Sequence, residues 1–168
     1  TMSKEIFNKG SWGYGLLDGM YGFGALISTI VVAIITKKFG RRKSLIWCYS
    51  IAGLCCFISP FSPTIYIAGI AYLLMGLHNN SARIIVRTLF MEIIPNNIMG
   101  RVQTIFGVYT RVMMLTSVLI AGWVTENLNP HIGMNFASAH YLIALIGIIV
   151  ISKFSNFRKE IFKVKNHA

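Results

Sequence analysis

With 168 residues, 55% of them hydrophobic and only 12% charged, the chain is too apolar and too poor in charge for an ordinary soluble domain. A net charge of +11 would suit a nucleic-acid-binding surface, but the sixteen Lys and Arg residues lie in clusters between apolar runs, which excludes that partner. The three cysteines, Cys48, Cys55 and Cys56, share one apolar run and lack the spaced partners of a zinc site or disulfide framework, so they read as small apolar fillers.

A bilayer core ~30 Å thick needs about 20 apolar residues at a rise of 1.5 Å each. Five segments meet or approach that length, at about 12–36, 44–58, 64–94, 102–123 and 136–151, followed by a basic tail at 153–168. The expected class is an all-α membrane protein with five transmembrane helices. The opening Thr1-Met2 carries no basic stretch or cleavage site of a signal peptide, and is read as the start of a piece of a longer protein.

In the first span Asp18 lies about two turns, ~9 Å, below Trp12, with Tyr14, Tyr21 and Ala25 near the same face. A carboxyl at that depth is protonated, paired or wet; it either touches water at the interface or binds solute or protons. Gly15, Gly19 and Gly22 predict a surface against which another helix packs closely. A basic loop follows, with Lys37, Lys38, Arg41, Arg42 and Lys43.

The second span carries no Asp, Glu, Lys or Arg, and Pro60 and Pro63 close it off. The third is apolar from Ile65 to Leu77, is interrupted by His78, Asn79, Asn80, Ser81 and Arg83, then turns largely apolar again. Gly76, Asn80, Arg83 and Arg87 recur at helical spacing and form one stripe with Asn79 beside it. The stripe suits a water-filled cavity; the alternative is that the arginines snorkel to the inner interface while the Asn side chains bond neighbouring helices.

Pro95 and Arg101 precede the fourth span, where Arg111 stands ten residues, ~15 Å, beyond Arg101 and so near the bilayer centre. An unpaired guanidinium there costs at least ~2.5–3.5 kcal/mol in lipid, so it needs a partner or water; Gln103, Tyr109 and Thr110 add polar lining. The fifth span is again free of charge in its apolar core. Asp18, Glu92 and Glu126 are the only acidic groups near the spans, too few for Arg83, Arg87 and Arg111, so an anionic solute or carboxylates from elsewhere in a longer protein are expected.

Orientation follows from the loops, because Lys and Arg are retained on the cytoplasmic side. The basic stretches fall after spans one, three and five, while the loops at 59–63 and 126–133 contain no Lys or Arg. That places the N-terminus outside and the C-terminus in the cytoplasm of a multi-pass cell-membrane protein. Anionic inner-leaflet lipid, at ~1 kcal/mol per juxtamembrane cation, accounts for the basic excess. No paired carboxylates, His-Glu-x-x-His or serine-base motif indicates an enzyme, and no cofactor or metal is expected.

Three local patterns together resemble the major facilitator superfamily. Lys37-Lys38-Phe39-Gly40-Arg41-Arg42-Lys43 is similar to its basic Asp-Arg-x-Gly-Arg-Arg loop, with Gly40, Arg41 and Arg42 matching and Lys37 standing where the family has an acid. Ile94-Pro95-Asn96-Asn97-Ile98-Met99-Gly100-Arg101-Val102 resembles the loop entering the eleventh helix of its drug and siderophore exporters, and Gly122-Trp123 resembles that helix's end.

The resemblance implies that the five spans are family helices eight to twelve, the C-terminal half of the fold, with the second and fifth spans peripheral and the others lining a central cavity. It further implies a secondary transporter, proton-coupled, exporting a small organic solute along Asp18, His78, Asn79, Asn80, Arg83, Arg87, Tyr109 and Arg111, and partnered by lipid and a missing N-terminal half. The alternative from another class is a non-transporting five-span accessory or assembly subunit. Richness in Ile, Lys and Asn points to a bacterial source.

Overall fold

The computed structural model describes residues 9–127 and 130–153, with side chains described at 9–127 and 135–150. Among these residues five helices follow one another: α1 (Gly10–Phe39), α2 (Arg41–Ile58), α3 (Ile65–Ile93), α4 (Asn96–Asn127) and α5 (Pro130–Lys153), with a 3-10 turn at Ser59–Phe61. Most of the basic tail lies outside the described residues.

Local chemistry sets each break. Between α1 and α2 the chain turns on Gly40 alone, at φ 77°, where a side chain would be strained; its N–H bonds the Thr36 carbonyl at 3.0 Å. Pro60 ends the α2 ladder and is buried in the 3-10 turn, and the Thr64 hydroxyl caps α3 by accepting the Ile67 N–H. Pro95 separates α3 from α4, and its carbonyl accepts the N–H groups of Ile98 and Met99.

The helices outrun the apolar segments at most ends. α4 begins at Asn96 rather than Val102 and ends at Asn127 rather than Trp123. Once nucleated, the i→i−4 ladder continues wherever polar side chains can reach water, so the apolar length marks the hydrocarbon and not the helix. Among the described residues α1, Arg41–Phe61 and α4 are long and apolar enough to cross a membrane. α3 has the length, and its polar belt lowers its apolar character.

The molecule is apolar on the outside, with Leu26, Ile105 and Leu119 at 69, 71 and 72% exposure, as lipid solvation allows. α1 and α3 make the closest contact. A Cβ built on Gly24 would stand 2.0 Å from the Leu73 carbonyl oxygen, and one on Gly76 would stand 2.1 Å from that of Tyr21. Each glycine therefore receives the other helix's backbone. A Cβ on Gly15, Gly19 or Gly22, where close packing was expected, would meet nothing within 4 Å among the described residues.

Val32, Leu45, Cys48, Ala82, Ile85 and Leu89 form one buried cluster where α1, α2 and α3 meet, and Leu17, Ile65 and Ala68 form a second. Cys48 and Cys56 are buried and free, in the filler role. α2 packs against α1, α3 and α5 and keeps Trp47, Leu54 and Phe57 exposed. α4 has no buried residue; it touches α5, and Phe106 meets Phe90 of α3 edge to face at 4.9 Å.

Candidate functional site

Halfway along the 30-residue α1, the Asn79-Asn80 pair of α3 is bound to its neighbour. Asn79 Nδ2 donates to the Tyr21 hydroxyl at 2.6 Å. Asn80 Nδ2 donates to the Ala25 carbonyl at 3.1 Å and to Ser28 Oγ at 2.6 Å, while Ser28 itself donates to Ala25 at 2.6 Å. Ser28 is wholly buried, so these bonds satisfy groups that lipid would leave unpaired. The depth of the belt, ambiguous from span length alone, is the middle of α1.

The stripe on α3 divides there. Gly76 and Asn80 are covered by α1, whereas Arg83 and Arg87, one and two turns further on, are exposed. Asp18 is exposed on α1. On α4, Tyr109 and Arg111 are also exposed, and Arg111 has no hydrogen-bond or ion-pair partner among the described residues. The structure thus brings Asn79 and Asn80 together with α1, and leaves Arg83, Arg87 and Arg111 exposed among the described residues.

His78 faces elsewhere. It bounds an apolar groove with α1 and α2 residues, and its Nδ1 lies 2.8 Å from the Leu74 carbonyl. A carbonyl only accepts, so Nδ1 carries the proton. A second histidine, absent from the sequence-based expectation, joins α4 to α5. His140 Nδ1 donates to the Phe136 carbonyl at 3.1 Å, and Nε2 meets Ser117 Oγ at 2.9 Å. Its place as the one histidine of a charge-free span was the available signal.

In the basic loop, Arg41 makes a two-pronged pair with Glu92, with Nη2 to Oε1 at 2.6 Å and Nη1 bonded to Oε2. The carboxylate that holds Arg41 comes from the last turn of α3. The bidentate geometry fixes the start of α2 to the end of α3, although with the Glu92 side chain 48% exposed its net worth is only about 1 kcal/mol or less. Both residues lie on the same side of the bundle, fifty-one positions apart; opposite charge at matching helix ends was the legible clue. Arg42 is half-buried, and its Nε lacks a hydrogen-bond partner among the described residues.

Among the described residues, an all-helical bundle with an apolar exterior and a hydrogen-bonded polar belt between two helices has the form of a helical membrane protein. The sequence matches the Major Facilitator Superfamily over residues 4–160, and the chain belongs to that family. A D-xylose transporter of Levilactobacillus brevis is 27% identical over 118 residues, covering 70% of this chain. The aligned stretch spans 25% of that relative's length. Membership points to a non-enzymatic transporter.

Proposed function

We propose that the chain supplies the C-terminal five helices of a proton-coupled antiporter that exports a small organic solute, of drug or siderophore type, by alternating access. The observation that carries this reading is exposed Arg111, midway along α4 and without a hydrogen-bond or ion-pair partner among the described residues, with Arg83 exposed on α3. Guanidiniums at that depth call for water and an anionic or polar solute. Similarity of the Pro95–Val102 loop to the exporter branch supports the direction, and Asp18 is the titratable group available for coupling, because His78 turns into the α1–α2 groove. In this reading the protein spans the cell membrane with the N-terminus outside and the basic tail in the cytoplasm.

A specific observation favours a second reading of the solute: the matched relative is named a D-xylose transporter. A sugar would use Asn and Tyr hydroxyl and amide groups rather than charge. Inverted vesicles from cells expressing the full-length protein distinguish the two. Under an acid-inside gradient, export predicts accumulation of a lipophilic dye or ferric siderophore that collapses with a proton ionophore. Xylose accumulation or counterflow in its place would transfer the proposal to sugars. Absence of flux for every solute, from correctly inserted protein, would reject transport and leave the accessory-subunit alternative.

A further inference from the structure

At the α1–α2 corner an open cavity of about 120 Å³ is lined by Ile35, Phe39, Trp47, Cys48 and Ile51, with His78 at its α3 wall. Trp47 and Phe39 remain 64 and 51% exposed, so the groove is open along these walls, and Tyr21, Ser28, Asn79 and Asn80 take no part in its lining. Its α2 wall, from the level of Ser44 to Ile51, is ~10 Å long by helical rise.

The rim of this groove is cationic. The Lys38 ammonium stands 5.4 Å from the centre of the Phe39 ring, itself a wall of the groove, so charge and apolar surface are joined at one point. Lys37 and Lys43 are exposed beside it. Arg41 is taken up by Glu92; α2 contains no acidic residue, and Asp18, the one acid of α1, is at that helix's other end. Several cations at helix ends above an apolar, laterally open slot fit one amphipath.

We propose that this groove is a binding site for an anionic phospholipid, one acyl chain lying along Ile35, Trp47 and Ile51 and the phosphate held by Lys38 and Lys43. The site stands independently of which solute is carried. Its chemistry differs from diffuse attraction of lipid to a basic loop, because the chain and the headgroup are bound together.

Native mass spectrometry of the intact protein, titrated with phosphatidylglycerol or phosphatidylcholine of identical acyl chains, tests it. The first phosphatidylglycerol should bind at least about tenfold tighter than the first phosphatidylcholine, given roughly the contribution of two lysines. Lys38→Gln with Lys43→Gln should erase that preference. Ile51→Trp, which fills the slot and leaves the lysines in place, should weaken phosphatidylglycerol binding several-fold; Ile35→Trp, on the opposite wall, substitutes if the first variant unfolds at lower temperature. Glycerol phosphate should fail to compete. Equal affinity for the two lipids, unchanged binding when the slot is filled, or competition by glycerol phosphate would each overturn the proposal, the last by revealing a site for free anions.

Discussion

Gly76→Ala is expected to destabilise the bundle by about 2 kcal/mol, within the usual 1–3 kcal/mol cost of overpacking a tight contact. The added methyl would fall 2.1 Å from the Tyr21 carbonyl oxygen, a backbone atom that no rotamer change can move. α1 and α3 must separate, which also stretches the Asn79–Tyr21 and Asn80–Ser28 bonds. Gly24→Ala meets the Leu73 carbonyl in the same way, and the double variant should cost less than the sum because both act on one helix crossing.

Thermal unfolding of detergent-purified protein checks this against a built-in control. Gly15→Ala and Gly19→Ala place a methyl where nothing lies within 4 Å, and should be neutral or slightly stabilising, since alanine is favoured over glycine in a helix by roughly 0.5–1 kcal/mol. Equal effects at Gly76 and Gly15 would show that the α1–α3 crossing is misplaced.

That contrast also shows where the sequence was readable. Hydropathy and the prolines mark five helices and their breaks, because burying backbone polar groups in hydrocarbon leaves little choice but a helix. Which face of α1 meets α3 was not legible: Gly15, Gly19, Gly22 and Gly24 are chemically alike, and only the neighbour's position separates Gly24 from the rest. The same holds for the polar belt. Its residues stand out by composition, but Asn80 bonding Ser28 and His78 turning to the opposite groove depend on the crossing of two helices. Arg41 and Glu92 were legible as charges at one end of the bundle, and their pairing required the antiparallel packing of α2 on α3.

Arg111→Ala in the full-length protein is expected to cut solute transport at least about tenfold, equivalent to ~1.4 kcal/mol of lost solute binding, while leaving thermal unfolding unchanged. The two readouts should separate because Arg111 is exposed, on a helix with no buried residue, and holds no described partner whose loss would weaken the fold. Arg111→Lys keeps the charge without the planar fork, and should fall between the two if the solute is a carboxylate or phosphate. A fall in stability as large as the fall in transport would instead mean that Arg111 anchors a neighbouring helix.

Alternating access itself can be tested without knowing the solute. In the full-length protein with its native cysteines replaced by alanine, Cys48, Cys55 and Cys56 among them, an Arg111→Cys variant is exposed to a membrane-impermeant thiol reagent from one face of sealed vesicles and then from the other. A water-filled path that opens in turn to each side predicts modification from both faces, each rate well above that of a lipid-facing control at Leu119. Modification from neither face until detergent dissolves the membrane would place Arg111 against lipid or another helix, and would contradict the account.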